Sequence, residues 1–277
     1  MAGLRLLRSI CIIAGKQGKG QEAGKRGMKT EGNRCVMKQK RTSGGRLSTL
    51  RPVLCAAVLM AVCLLFSGIA EADSKKPAYR RPSVDRKRRD IILYVGDSRT
   101  WFYDLHHVKD KRDGLIYRDG ASIGELRYNK NYSRCGQLGK YLRDALKTYP
   151  NAKIVLNFGC NGCSRVSSNA KRVVKEYQKW MRAYPDRQFY VASIFPAADR
   201  KPYSRGNMHY MNRALKKNFP DIYIDAGEYL ERRGLDQPRK DGRGFQKKRG
   251  GYDLKHYSRY ASKAVKKYIR SVVMAAG

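Results

Sequence analysis

From residue 90 onward the sequence predicts an α/β domain, a mainly parallel five-stranded sheet held between two layers of helices. Short β-branched or aromatic runs alternate there with stretches of helical apolar spacing, the pattern of βαβ units. The roughly 190 residues involved are enough for one domain with a sizeable core. No internal repeat interrupts the alternation.

The first strand is expected at about 91–95, where Ile91-Ile92-Leu93-Tyr94-Val95 runs into Gly96. Further strands are expected at about 115–118, 153–158, 188–194 and 221–225. Between them, Leu138, Tyr141, Leu142, Ala145 and Leu146 have helical spacing, as do Val173, Val174, Tyr177, Trp180 and Met181. A last helix carries Tyr260, Ala264, Tyr268 and Val272 as an apolar edge against a Lys/Arg face. Tyr128 to Cys135 reads as a loop over the site. Together these elements describe a three-layer α/β/α domain of flavodoxin-like type, whose strand ends converge on one edge of the sheet, where such proteins place their ligands.

Two segments far apart in the chain place chemistry at that edge. Gly96-Asp97-Ser98 follows the first strand, and a glycine there lets the chain reverse so that the Ser98 hydroxyl points into the crevice. Read alone, Ser98 is as easily the N-cap of the next helix. Near the carboxyl end, Asp253 and His256 stand three residues apart, a spacing that faces one direction on a helical turn or at a helix entrance. A serine hydroxyl is a weak nucleophile at neutral pH. It needs an imidazole to take its proton and a carboxylate to fix the tautomer and stabilise the charged ring. Asp253 and His256 supply both.

Gly-Asp-Ser near the start of the domain with Asp-x-x-His near its end resembles the SGNH/GDSL hydrolase family. Two intermediate blocks are similar as well. Gly159-Cys160-Asn161 follows the run Lys153 to Phe158, and Asp119-Gly120-Ala121-Ser122-Ile123-Gly124 follows Leu115-Ile116-Tyr117. The resemblance spans roughly residues 90 to 273. It implies a Ser98–His256–Asp253 triad and an oxyanion hole made by the N–H of Ser98, the N–H of Gly124 and the side-chain amide of Asn161. Gly120 is the alternative to Gly124. Gly162 departs from the family, many of whose members have Asp after the Asn.

Residues 1–72 read as a leader. Val53 to Phe66 is apolar, is preceded by Lys38, Lys40, Arg41, Arg46 and Arg51, and is followed by Ala70-Glu71-Ala72. These are the basic, apolar and small-residue regions of a bacterial-type signal peptide, with cleavage expected near Ala72. The apolar run is short for a membrane span, and membrane contact is expected only if the leader stays uncleaved. Met28 and Met37 are candidate starts for so long a leader, and neither Cys55 nor Cys63 has a lipobox setting. Residues 73–89, basic and with two prolines, are expected to be a mobile linker to a domain at 90–277.

The chain carries 60 Lys+Arg against 23 Asp+Glu, a formal charge of +37. Loss of residues 1–72 removes 13 basic and 3 acidic residues and leaves +27. Such a charge attracts polyanions. For an exported protein the candidate partners are anionic cell-wall polymers or acidic glycans and lipids rather than nucleic acid, the alternative being a charge that serves solubility or surface adaptation alone, and residues 244–250 (Gly-Phe-Gln-Lys-Lys-Arg-Gly) are the best local candidate.

Of seven cysteines, Cys135, Cys160 and Cys163 fall in the domain. Cys160-Asn161-Gly162-Cys163 raises a thioredoxin-like reading, which the triad blocks and the lack of an early βαβ context oppose. A structural disulfide, Cys160 to Cys163 or Cys135 to either, suits an oxidising compartment. No zinc-ligand set of the right spacing can be assembled, and neither metal nor cofactor is expected. His106, His107 and His209 read as exposed or capping residues. Arg99 is a candidate for binding an acidic or sugar substrate, and Trp101 for that role or for core packing.

These observations predict a secreted serine esterase that removes a small acyl group, acetyl being the guess, from a carbohydrate or cell-wall glycan through an acyl-serine intermediate. The alternatives are an acyltransferase to a glycan on the same site, or an inactive basic wall-binding module that keeps the fold.

Overall fold

The computed structural model describes residues 76–108, 110–161, 166–195 and 205–276. The leader, including the expected cleavage site at Ala72, lies outside the described residues, as do Gly162 and Cys163. Six strands form the main sheet: β1 (Ala78–Arg80), β2 (Ile92–Gly96), β3 (Asp113–Tyr117), β4 (Lys153–Asn157), β5 (Phe189–Ala192) and β6 (Tyr223–Ile224). Their order is β1-β3-β2-β4-β5-β6. The last five are parallel, and their order matches the flavodoxin-like type of doubly wound sheet.

Alternation along these strands explains the three layers. Leu93, Val95, Ile116, Ile154, Leu156 and Val191 face one core. There they meet α2 (Gln137–Thr148), α3 (Val166–Ala183) and α4 (Arg205–Asn218) through residues such as Leu142, Tyr177 and Met211. Ile92, Tyr94, Leu115, Val155 and Tyr190 face the other. That core is closed by α1 (Ser98–Leu105), α5 (Ala226–Arg232) and α6 (Arg259–Ala275). Strands covered on both faces are mostly apolar, and β2 to β5 are buried at every residue, with Asp113, Lys153 and Asn157 as buried polar residues at their ends.

Four expectations are corrected. The segment expected as a mobile linker contributes β1, which pairs antiparallel with β3. An uncovered β3 would leave a row of unpaired backbone groups, and β1 covers that edge. Tyr149 Oη donates to the Pro82 carbonyl at 3.2 Å, and Arg80 pairs with Asp104 at 2.9 Å, fixing the segment on both sides. The buried stripe of α6 is Ala261, Val265, Ile269 and Val273, one position beyond the predicted edge. Both rows repeat every fourth residue, but Tyr260 is 45% exposed and the smaller row makes the closer fit to the sheet. Tyr268, on the predicted row, stacks on Tyr229 at the flank, with ring centroids 4.2 Å apart. The Tyr128 to Cys135 segment contains a short 3-10 turn, Tyr132–Arg134. Tyr128 packs on Trp180 and Tyr184, and its N–H bonds Glu176, so the segment is anchored to the flank of α3 rather than to the triad.

The fourth correction concerns the Asp-x-x-His pair, which stands at the entrance to α6, one of its two expected placements, but on a strand rather than a helical turn. A two-stranded hairpin, β7 (Phe245–Lys248) and β8 (Gly251–Tyr257), precedes α6. Residues three apart on a regular strand face opposite sides. Here the register jumps, with Phe245 opposite Tyr257 but Gln246 opposite Asp253, so β8 carries an irregularity that brings Asp253 and His256 to one side.

Candidate active site

Strand β2 delivers Ser98 to the carboxyl edge of the sheet through a tight turn. A Cβ at Gly96 would collide with Thr100 Oγ1 and come within 2.7 Å of the Asn157 carbonyl, so only glycine lets α1 begin here. Asp97 is the N-cap of α1, its carboxylate accepting from Arg99 N at 3.1 Å. That role was open to Ser98 in the sequence; instead Ser98 is the first helical residue, and its N–H is among the donors a helix cannot satisfy internally. Burial pushes the Asp97 carboxyl up from its ordinary value.

Ser98 Oγ lies 3.2 Å from His256 Nε2, and His256 Nδ1 lies 2.7 Å from Asp253 Oδ2. Burial pushes the Asp253 carboxyl up, but hydrogen bonds from His256 and Lys248 outweigh it and leave it below the usual carboxylate range. An ionised Asp253 can only accept, so Nδ1 carries the ring proton and Nε2 accepts from the serine hydroxyl. The other oxygen, Asp253 Oδ1, accepts from the Lys255 N–H at 3.2 Å. Phe102, one turn into α1, stacks on the His256 ring with centroids 4.5 Å apart and an angle of 16°. The three residues that sequence reasoning grouped are thus hydrogen-bonded in a chain across 158 positions of sequence.

Asn161, after β4, joins the same region. Its Nδ2 donates to the Ala121 carbonyl at 3.0 Å, and its Oδ1 accepts from Lys255 Nζ at 3.4 Å. These contacts connect the block after β3, the block after β4 and the hairpin. Gly124 sits in the 3-10 turn Ile123–Leu126, and the nearest neighbour of a Cβ there is Ser122 Oγ at 3.5 Å. Gly120 has φ +70°, so its glycine answers to the backbone of the turn.

Other sequence candidates either pack around the triad or lie away from it. His106 caps α1, is half-buried and makes a 3.0 Å hydrogen bond to the Tyr257 carbonyl; burial pushes its imidazole down. His107 is exposed, and His209 is an exposed residue of α4, 3.8 Å from Glu231. Trp101 packs edge-on against Phe102 at 4.9 Å. Arg99, a candidate for substrate binding, is 3% exposed, lies over the Phe195 ring and lines a small cavity together with Phe102 and His256. Cys135 and Cys160 are free buried thiols, which excludes a bond between them here. Burial pushes the Cys160 thiol up, away from the thiolate that redox exchange requires. Sequence reasoning missed Lys248, Lys255 and Phe102 as neighbours of the triad. The Arg249-Gly250-Gly251 turn was a legible hairpin signal that would have placed Lys248 beside Asp253.

A five-stranded parallel order, a serine at the end of the first parallel strand and an Asp-x-x-His pair just before the last helix now stand together. This is the arrangement that the resemblance to the SGNH/GDSL hydrolases implies. Neither a protein-family model nor any curated protein matches the chain. Solved structures similar to it include a GDSL-like lipase from Bacteroides thetaiotaomicron (13% identity, 72% of this chain and 93% of that one, TM-score 0.48). Another is the periplasmic domain of a lipopolysaccharide acetyltransferase from Salmonella ser. Paratyphi A (14% identity, 70% and 86%, TM-score 0.44). A third is a carbohydrate esterase family 2 enzyme with its carbohydrate-binding domain from Corynascus thermopiles (15% identity, 71% and 68%, TM-score 0.41).

Proposed function

We propose that the chain is a secreted serine esterase that hydrolyses a small acyl ester, acetyl by preference, on a carbohydrate or cell-wall glycan. The observation that carries the reading is the continuous hydrogen-bond chain from Asp253 through His256 to Ser98. Ser98 Oγ attacks the acyl carbonyl while its proton passes to His256 Nε2, and the imidazolium is held by Asp253. His256 then gives that proton to the departing sugar oxygen, leaving an acyl-Ser98. Water, deprotonated by His256, attacks the acyl group, the acid leaves and Ser98 recovers its proton.

The carbonyl oxygen becomes negative in both steps. The donors we assign to it are the N–H of Ser98, the N–H of Gly124 and the Asn161 amide. One Asn161 hydrogen is engaged by the Ala121 carbonyl, which fixes the amide plane and leaves the second hydrogen to point elsewhere. In this reading the protein is exported by its leader, cut near Ala72, and kept near an anionic wall polymer by the domain's positive charge. Turnover of a short-chain aryl ester tests the core of it. Ser98→Ala should abolish hydrolysis with an unchanged circular dichroism spectrum, and undiminished turnover would remove Ser98 from the mechanism.

A further inference from the structure

Lys248 occupies an unusual position for a surface lysine. Its Nζ lies 2.7 Å from Asp253 Oδ2, the same oxygen that takes His256 Nδ1. The two partners differ in freedom: the Asp253 side chain is 9% exposed, the Lys248 side chain 59%. An ammonium on a long solvated stem is held weakly and exchanges readily for another anion. While it rests on Asp253 it neutralises part of the negative charge that must stabilise the imidazolium.

The surroundings supply a reason for an anion to arrive. Residues 239–259 hold eight Lys or Arg against two acids, Asp241 and Asp253. Asp241 is taken by Arg239 at 2.8 Å. Lys248 stands at the tip of the hairpin opposite Gly251, between exposed Lys247 and Arg249. Side chains added at Gly250 or Gly251 would meet nothing within 4 Å, so the tip is open to a bulky polymer. Asp253 does not need Lys248 for its orientation, since Lys255 N–H holds Oδ1 and His256 holds Oδ2. The other charged groups facing His256 are Asp97, Arg99 and His106 on or beside α1 and Lys255 on β8.

We propose that Lys248 makes the triad responsive to an acidic glycan: a carboxylate or phosphate group on the bound polymer draws the ammonium off Asp253, freeing that carboxylate for His256. No bond forms or breaks and no proton changes owner in this step; one ion pair replaces another. Lys248 is therefore a positioning residue that acts through Asp253. The proposal rests on the triad reading above and adds the class of the polymer that carries the ester.

The test uses the full chain and a neutral aryl ester, with polygalacturonate as the carboxylate probe, linear polyphosphate as the phosphate probe and dextran as a neutral control. At low salt, one or both anions should raise kcat/KM of the wild type several-fold, and dextran should not. Lys248→Met should start from the raised value and ignore the anions, and Lys248→Arg should restore the response. Whichever anion acts identifies the charged group. The His256 Nδ1–H proton resonance, followed in Ser98→Ala with and without Lys248→Met, reads the same exchange without turnover: it should move on adding the active anion only when Lys248 is present. An anion response that survives in Lys248→Met, or a resonance indifferent to both anions, overturns the proposal. Loss of all esterase activity in the wild type would instead fail the triad reading while leaving the resonance test intact.

Discussion

At the scale of single residues, the site is defined by a few atoms that must fall within hydrogen-bond reach. His256 is fixed on three sides, by Asp253, by the Phe102 ring and by the Ser98 hydroxyl. His256→Gln keeps a polar side chain but no base, and should lower turnover on the order of 10^6-fold, as loss of the base does in another serine triad. Asn161→Ala should cost about 100- to 1,000-fold in kcat with little change in melting temperature, the signature of a lost oxyanion donor. Gly96→Ala is different in kind. Its Cβ meets Thr100 and the Asn157 backbone, so overpacking should cost about 1–3 kcal/mol of stability in denaturant unfolding. Asp253 also links chemistry to stability. Its folded value lies below the usual carboxylate range, so it stabilises the fold above that range and the contribution is lost as pH falls through the folded value. Between about pH 5 and 3 the melting temperature should fall less steeply in Asp253→Asn than in the wild type.

At the scale of elements, what was legible in the sequence depended on how local the cause was. The runs at Ile92–Gly96, Lys153–Asn157 and Phe189–Ala192 are buried on both faces, and their apolar character alone marks them as strands. The spacing of Leu138, Leu142 and Leu146, and of Val173, Tyr177 and Trp180, marks α2 and α3 in the same way. The meeting of Ser98, Asp253 and His256 was legible because a hydroxyl, an imidazole and a carboxylate stand at the end of the first parallel strand and just before the last helix. β1 was not, because its strand exists to cover β3 and its three residues carry no pattern of their own. The placement of Asp253 and His256 on a hairpin also escaped, since an i, i+3 pair suggests a helical turn, and only the cross-strand register reveals the irregularity that replaces it. The α6 stripe shows how the two rows are separated. Ile269→Ala, on the buried row, should cost about 2–5 kcal/mol, and Tyr260→Ala, on the predicted row, far less.

At the scale of the whole molecule, the last helix and the third strand are tied by a buried charge cluster. Asp113 forms ion pairs with Lys266, at 2.7 Å, and with Arg270, so α6 is held to β3 of the sheet. Burial pushes the Asp113 carboxyl up from its ordinary value while these two cations act to lower it. The molecule's positive charge acts at longer range. If it retains the domain on an anionic wall polymer, pull-down should weaken steeply as salt shortens the Debye length from about 10 Å at 0.1 M to about 3 Å at 1 M. Turnover of a neutral aryl ester should change far less, because the triad acts at contact distance. The central claim is that Ser98 is a nucleophile activated by His256, and a fluorophosphonate probe followed by peptide mass spectrometry tests it most directly. One adduct is expected, on Ser98, and it should disappear in both Ser98→Ala and His256→Gln; an adduct elsewhere, or undiminished labelling of Ser98 in His256→Gln, would rule out activation of Ser98 by His256.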